Sequence, residues 1–433
     1  MSAEARRRAS AGMLTMTMLV GCYLAPRFWV QSHPTLDTTT PAISLTGSGT
    51  ALSQGATAAG TGVIPESPEI RLSGSWLAGG RMPEVPELGG STMVQNALRD
   101  LETLSLPYGV PVAGWAPAWR YVWPRDSAFA ASALARTGHI AEARRILNFL
   151  STAQPASGQF EARYRPDGSG PPDDRGLQLD GSGWAVWAMD QLASQLPAKD
   201  DRRQLVTDFD GLLDRSIDAI LVSTGNGTTL PPASADYWET PERRVTLATC
   251  SVLLTGLRSA ERLYGATNDP RQFLVGLVAD RFERTVLDAF AADGFPRHLG
   301  GPARSVDLGV TFMVSPFAGT GDRAALDAWR RSPTFMRRPA GGLAPGGSWR
   351  RDGISWTPTV ATYAMAAACH GPRAPAVEML RWLDQHRTAA GSLPEKVLAN
   401  GQPASVAPLA WTAAAVVITA DELERGCAGG NAG

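Results

Sequence analysis

The chain has 433 residues, 44% hydrophobic and 19% charged, enough to bury the core of one large domain or two moderate ones. Forty Lys and Arg nearly balance 41 Asp and Glu, and no basic stripe is present, so nucleic acid is not an expected partner. Four Cys without a CxxC pair and five His argue against a zinc site, and no cofactor is expected. Cys250 and Cys369, within apolar helical stretches, are expected to be small buried thiols rather than disulfide partners.

Residues 1–31 have the pattern of a targeting or anchoring segment. Arg6, Arg7 and Arg8 precede a short apolar run, within which Leu19 to Cys22 reads LVGC. This sequence resembles a bacterial lipobox, which would make Cys22 the lipidated amino terminus. An uncleaved membrane anchor and a signal peptide cleaved elsewhere are the alternatives, although about 13 apolar residues are few for a full span. Each alternative predicts an extracellular protein or one attached to the cell envelope.

Residues 32–68 are rich in Thr, Ser, Gly, Ala and Pro and show no apolar periodicity. This composition is typical of a flexible linker. The folded domain is therefore expected to span residues 69–427, and we expect it to be monomeric.

From Ser91 onward, apolar residues recur at helical spacing between Gly- and Pro-rich loops, and strands are hard to find. The pattern predicts an all-α fold of about twelve helices, with the eighth left open: 93–105, 126–137, 139–152, 180–195, 203–221, 241–264, 268–290, 306–313, 321–331, 357–370, 373–388 and 407–424. Gly138 separates the second helix from the third, because glycine readily adopts the left-handed conformation that ends a helix.

Successive helices with short connections indicate repeated helical hairpins. No fixed repeat of about 34 residues is visible, which favours a closed toroid over an open solenoid, although periodicity alone does not show closure. In a closed ring the loops before the inner helices would form a cup at one end.

Two loop-to-helix junctions carry polar and aromatic residues together. Trp123, Arg125 and Asp126 lie directly before or within the start of the second helix, and Gln178 and Asp180 lie at the start of the fourth. Helix capping or first-turn placement is enough to explain both aspartates. An aromatic plane beside a charged pair is also what a sugar-binding site uses.

A third junction is the sequence DYWE, which ends at Glu239 and precedes the helix predicted from Pro241. Glu239 is explained equally well as an ordinary first-turn acid, and Trp238 as a core anchor. The competing hypothesis assigns both residues to a binding site.

A fourth junction places Glu395 in a loop that leads to Trp411 at a helix start. Cleavage of a glycosidic bond needs two carboxyl groups that flank the bond, and Glu239 and Glu395 are candidates for them. They are 156 residues apart (395 minus 239), so only a closed fold would bring them together.

The four segments, in this order, resemble the motifs of glycoside hydrolase family 15, the glucoamylase-like enzymes. The resemblance implies an (α/α)6 barrel and an inverting, exo-acting hydrolase that releases glucose from the non-reducing ends of α-glucans or oligosaccharides. It assigns Arg125 and Asp126 to the hydroxyls of the terminal sugar, Glu239 to the general acid, Glu395 to the general base and Trp411 to a wall of the pocket.

Other parts of the motifs match less closely. The segment with Gln178 and Asp180 is similar to one near the family's site, and Trp123, Trp238 and Trp356 are expected to contact substrate as well. Thr240 stands where several relatives carry a second acid. The match at Gly346 to Trp356 is loose, and three charged residues there are not assigned singly: Arg350, Arg351 and Asp352.

Three further expectations complete the sequence analysis. Residues 32–68 have too few strand-like runs for the β-sandwich domain that precedes the barrel in many bacterial members. A non-catalytic glycan-binding protein of the cell envelope is the alternative from another functional class, although the presence of both Glu239 and Glu395 argues against it. A trehalase-like hydrolase is the alternative within the enzymes.

A chain that begins at Ile70 should unfold in one cooperative thermal transition, because residues 1–68 lack the apolar periodicity needed to join the core. Calorimetry of this chain beside the full-length protein measures the effect. An insoluble or molten product from a chain whose full-length form folds well would place the domain boundary elsewhere.

Overall fold

The computed structural model of the chain describes residues 42–45, 51–54, 76–106 and 108–427. The predicted anchor, with Cys22, and most of the predicted linker lie outside these residues. Two short strands fall within the predicted linker, β1 (Ala42–Leu45) and β2 (Ala51–Gln54), and they pair antiparallel. In the described part of the chain, no helix is both long and apolar enough to cross a bilayer.

Thirteen α-helices make up most of the described chain after Met93. They are α1 (Met93–Ser105), α2 (Pro124–Arg136), α3 (Ile140–Ala153), α4 (Asp180–Gln195), α5 (Lys199–Asp208), α6 (Asp210–Ser223), α7 (Leu247–Thr267), α8 (Arg271–Phe290), α9 (Arg323–Arg331), α10 (Pro333–Met336), α11 (Thr357–Cys369), α12 (Ala374–Gln385) and α13 (Ala410–Arg425). The all-α prediction is confirmed, and Gly138 ends the hairpin turn after α2 with a φ of 86°.

Six elements form a closed inner ring. They are α2, α4, α7, the 3-10 helix Leu308–Met313, α11 and α13; each packs against the next, and α13 packs back against α2. The helices α1, α3, α6, α8, α9 and α12 alternate with them along the chain and pack outside the ring. This is the predicted (α/α)6 barrel.

The amino-acid sequence of each layer explains its place. The inner helices α2 and α11 are rich in Ala and buried on nearly every face, and α4 and α7 approach closely where Gly183 meets Gly256. A Cβ on Gly256 would lie 2.8 Å from the Cα of Gly183, so larger residues would force these helices apart. An outer helix such as α1 instead buries a single apolar face, as expected for a helix with one side in water.

Three predicted helices differ from the structure. The helix predicted at 203–221 is divided at Phe209 into α5 and α6, and the run at 306–313 is the 3-10 helix of the inner ring. The helix predicted from Pro241 begins only at Leu247, because the Thr246 side chain accepts a hydrogen bond from the Thr249 amide and caps it there. Glu239 is therefore not a first-turn acid; that reading is wrong.

Short strands connect the loops that lead into the inner helices. β3 (Phe160–Glu161) pairs with β4 (Leu177–Gln178) just before α4. β5 (Ser355–Trp356), β6 (Lys396–Val397) and β7 (Pro403–Ala404) form a second small antiparallel sheet. Because β6 directly follows Glu395 and β5 directly precedes α11, this sheet fixes the Glu395 loop against the ring.

A disulfide joins Cys369, at the end of α11, to Cys427, just beyond α13. The prediction that Cys369 is a free thiol is wrong: 58 residues separate the two cysteines, and only the packing of α11 on α13 brings them together. Cys250 is free and buried, as predicted.

Replacing Cys427 by Ser should lower the free energy of unfolding by about 2–4 kcal/mol, because the disulfide restricts the unfolded chain across a long loop. Chemical denaturation of the variant and the parent measures the change. A reductant should lower the stability of the parent to that of the variant and leave the variant unchanged; an equal effect on both proteins would contradict the assignment.

Candidate active site

Glu239 lies at the centre of a group of hydrogen-bond donors. Its Oε1 accepts from the Arg125 guanidinium at 3.3 Å, and its Oε2 accepts from Arg175 Nη1 at 3.3 Å and from Gln178 Nε2 at 3.2 Å. Only 6% of the Glu239 side chain is exposed. The start of α2, strand β4 and the DYWE loop therefore meet at one carboxyl group.

The backbone of Glu239 is in the left-handed region, with a φ of 55°. Its amide donates to the carbonyl of Asp236 at 2.7 Å, and the Trp238 amide donates to Asp236 Oδ1 at 2.9 Å. This conformation is unfavourable for a residue with a side chain and is retained only where surrounding contacts fix it. The turn aims the Glu239 carboxyl at Arg125 rather than along a helix.

Arg125 connects Glu239 to two other predicted site residues. Its Nη2 lies 3.5 Å from Asp126 Oδ2, and its guanidinium carbon lies 4.8 Å from the centre of the Trp411 ring. Burial raises the pKa of Asp126 to about 6; Arg125 opposes the rise, while the charges of Glu239 and Glu395 add to it. Arg125 thus joins the start of α2 to the DYWE loop and to the first turn of α13.

Glu395 is buried at the end of the loop that β6 continues. Its Oε1 accepts from Trp119 Nε1 at 3.3 Å, and its Oε2 accepts from Ser405 Oγ at 2.5 Å and lies 3.2 Å from Lys396 Nζ. The backbone of Ser405 has a φ of 68°, which turns its hydroxyl toward Glu395. The neighbouring Lys396 and two residues from other segments, Trp119 and Ser405, thus fix the position of this carboxylate.

Asp180 occupies the first position of α4 and accepts from Trp184 Nε1 at 3.3 Å. Burial raises the pKa of Asp180 to about 7, Arg125 opposes the rise, and the negative charges of Asp236 and Glu239 add to it. Asp180 lines a crevice whose other walls include Trp123, Arg125, Gln178 and Glu161. The first two junctions predicted from sequence therefore share one cleft.

A row of tryptophans continues from the DYWE loop. The rings of Trp238 and Trp349 are 4.6 Å apart edge to face, and Trp349 and Trp356 are 5.3 Å apart. Lys396 Nζ lies 4.3 Å from the centre of the Trp356 ring. The row therefore links the loop that carries Glu239 to Lys396, the residue directly after Glu395.

The structure brings the predicted residues together in one connected group, and it adds residues that the sequence analysis missed: Trp119, Arg175, Trp349 and Ser405. Trp349 lies in the loosely matching segment 346–356, where the side chains of Arg350, Arg351 and Asp352 are exposed. Trp349 rather than those charged residues thus connects the segment to the site. A long-range pairing such as Trp119 with Glu395 leaves no local signal in a sequence.

Within residues 76–106 and 108–427, one grouping has the spacing of a metal site: Cys369, Glu422 and Cys427. The two sulfur atoms are bonded to each other as a disulfide, so they do not offer thiolates to a metal. The group lies at the ends of α11 and α13, whereas the candidate carboxylates lie at loops before the inner helices.

The solved structures that resemble this chain include glycosidases and glucoamylases. A wild-type glycosidase matches 78% of this chain and 98% of its own, at a TM-score of 0.67 and 21% identity, and a glycosidase variant solved with glucose gives the same values. A bacterial glucoamylase complexed with acarbose matches 82% of this chain and 58% of its own, at 0.65 and 16%. Saccharomycopsis fibuligera glucoamylase matches 82% and 96%, at 0.61 and 13%. At these identities the likeness shows the fold.

Among curated proteins, trehalase 1 of Sulfolobus acidocaldarius is 42% identical over 79 residues. The match covers 17% of this chain and 13% of the trehalase, so the chain spans a small part of that relative's length. No family model matches the chain.

Replacing Asp180 by Asn should make stability less dependent on pH. In the folded protein Asp180 keeps its proton up to about pH 7, whereas the unfolded chain releases it near pH 4, so wild-type stability falls as the pH rises through this window. From pH 4 to pH 7 the variant should gain a few kcal/mol relative to wild type, measured by denaturant unfolding.

The exposed Asp210, at the first position of α6, provides a matched control. Because the Asp210 carboxyl is exposed to water, Asp210→Asn should give no gain in stability at pH 7. The same stability difference between Asp180→Asn and wild type at pH 4 and pH 7 would contradict the prediction.

Proposed function

We propose that this protein is an inverting α-glycoside hydrolase of the glucoamylase type, which releases glucose from the non-reducing ends of α-glucans or oligosaccharides. The observation that carries the proposal is that Arg125 contacts both the Glu239 carboxyl, at 3.3 Å, and the ring of Trp411, at 4.8 Å, where the loop that carries Glu395 enters its helix. Glycosidic cleavage requires two carboxyl groups that flank the bond.

Glu239 is the general acid in this proposal. It protonates the glycosidic oxygen as the bond from that oxygen to the anomeric carbon breaks. Arg125, Arg175 and Gln178 fix its two oxygens, and they stabilise the carboxylate that remains after proton transfer.

Glu395 is the general base. It takes a proton from a water molecule, whose oxygen then bonds to the anomeric carbon on the face opposite the leaving group and inverts its configuration. Trp119, Ser405 and Lys396 hold the Glu395 carboxylate in place for this proton transfer.

In this proposal the terminal sugar binds beside Glu239. Arg125, Asp126, Gln178 and Asp180 offer charged and polar groups for its hydroxyls, and the Trp123 and Trp411 rings offer apolar faces. Trp238 and Trp356 extend this surface through Trp349, and they are the candidates for contact with the rest of the substrate.

A trehalase-like activity is the second candidate, favoured by the 79-residue match to an archaeal trehalase. The site chemistry would be the same, and only the leaving sugar would differ.

We also propose that the protein is a monomer outside the cytoplasm, either extracellular or held at the cell envelope through residues 1–31. A glycan-binding protein without turnover remains the non-enzymatic alternative to both hydrolases.

Glu239→Gln should abolish hydrolysis of maltose and other substrates with poor leaving groups, yet retain much more activity on activated aryl α-glucosides, which need little protonation. Glu395→Gln should lose activity on both classes, since water must be activated whatever the leaving group. Initial rates of monosaccharide or phenol release distinguish the two variants. Losses of about 10²–10⁴-fold are expected for the affected reactions.

The stereochemical course provides the decisive measurement. Proton NMR of the first-formed sugar should show the β-anomer, and an initial α-anomer would refute the inverting mechanism.

A substrate screen separates the glucoamylase proposal from the trehalase-like one. It compares maltose, isomaltose, nigerose, trehalose, dextran and starch side by side. Binding of these sugars without any product would favour the glycan-binding alternative.

A further inference from the structure

Arg297 is a fully buried cation with three carboxylate partners. Its side chain is 0% exposed; its Nη1 lies 2.6 Å from Asp307 Oδ2, and its Nη2 lies 2.9 Å from Asp236 Oδ1 and 2.6 Å from Glu242 Oε1. Its guanidinium carbon lies 3.8 Å from the centre of the Trp238 ring. None of the three carboxylates lines the crevice of Arg125 and Asp180.

The positions of two of these partners are informative. Asp236 lies three residues before Glu239, and Glu242 lies three residues after it, so one guanidinium nitrogen bonds both ends of the turn that presents Glu239. Asp236 also accepts the amides of Trp238 and Glu239, through its side chain and its carbonyl respectively. Arg297 thereby holds the segment at both ends and, through Trp238, across its middle.

Each partner of Arg297 is itself fixed. Tyr237 donates to Asp307 Oδ2 at 2.8 Å, and His298 Nε2 lies 2.8 Å from Glu242 Oε2. Burial opposes ionisation of Glu242, but hydrogen bonds from His298 and Arg297 outweigh it and lower its pKa. Glu242 is therefore a carboxylate at neutral pH, and its bond to Arg297 persists there.

The left-handed backbone of Glu239 needs such an anchor. A side-chain-bearing residue with a φ of 55° returns to a more extended or helical conformation unless its neighbours prevent it. Neither residues 231–238 before Glu239 nor residues 240–246 after it form a helix, so helical hydrogen bonds do not fix the turn. The bonds from Asp236 and Glu242 to Arg297 supply the missing constraint.

We propose that Arg297 is a positioning residue for the general acid, and that it acts by joining Asp236 and Glu242 on either side of Glu239. The inference rests on the proposed role of Glu239 as acid. Arg297 touches no substrate in this proposal; it sets the direction in which the Glu239 carboxyl points, and so the efficiency of proton transfer to the leaving group.

A buried ion cluster that only stabilises the fold would have a different signature. Loss of stability lowers the fraction of folded enzyme, which reduces the rates for all substrates by the same factor. Loss of acid positioning reduces rates selectively where the leaving group needs a proton. The ratio of the two rates therefore separates the two roles.

Glu242→Gln is the sharpest test. It weakens the bond between Arg297 and residue 242 and leaves the bonds of Arg297 to Asp236 and Asp307 in place. We expect kcat on maltose to fall at least about tenfold and kcat on 2,4-dinitrophenyl α-glucoside to fall less than about threefold. Arg297→Lys should show the same selectivity, since a single ammonium group does not reproduce the fork that spans both carboxylates.

Glu283→Gln is the matched control. Glu283 lies on the outer helix α8 and also pairs with a part-buried arginine, Arg258. It should leave both rates unchanged. Equal losses on the two substrates in Glu242→Gln, or no loss, would overturn the positioning role.

Amide hydrogen exchange tests the role of Arg297 without relying on enzyme activity. In Glu242→Gln the amides of Trp238 and Glu239 should exchange at least about tenfold faster than in wild type, with no such change in Glu283→Gln. If wild type hydrolyses no α-glycoside, the proposed function fails, and the exchange result alone decides whether Arg297 holds this turn. Unchanged exchange in Glu242→Gln would refute that hold.

Discussion

The packing of α13 against α2 closes the inner ring, and the candidate site depends on this contact. It places the Trp411 ring, from the first turn of α13, 4.8 Å from the guanidinium of Arg125, from the first turn of α2. The loop before α13 carries Glu395, and Arg125 contacts Glu239. In an open array of the same hairpins, Arg125 and Trp411 would lie at opposite ends, because α2 is the first inner element and α13 is the last.

Two buried arginines, Arg125 and Arg297, each contact more than one acidic side chain. Arg125 lies beside Asp126 and Glu239, and Arg297 bonds three carboxylates. Burial, with a smaller contribution from neighbouring acids, raises the pKa values of Asp126 and Asp180 to about 6 and 7. A carboxyl group that keeps its proton in mildly acidic solution donates a hydrogen bond as well as accepting one, which is a property that the proposed sugar site would use.

The sequence predicted the fold well because helical periodicity is a local property. Most helix boundaries, the turn at Gly138 and the position of the four junctions follow from spacing and from motifs that resemble those of a known family. The start of α7 at Leu247 does not: Thr246 caps the helix there, and the segment before it bonds through Glu242 to Arg297, 55 residues away. The same reason applies to the disulfide at Cys369 and to Trp119 beside Glu395: each is a contact that only ring closure creates.

The order of the inner elements has a consequence for biosynthesis. The chain is made from the amino terminus, and α2 is the first inner element whereas α13 is the last. Until α13 has emerged, the buried flank of α2 that it covers has no partner, and the Cys369 thiol has no Cys427 to bond. Until then the five earlier inner elements leave an apolar gap in the ring, so the ring closes only after α13 has been made.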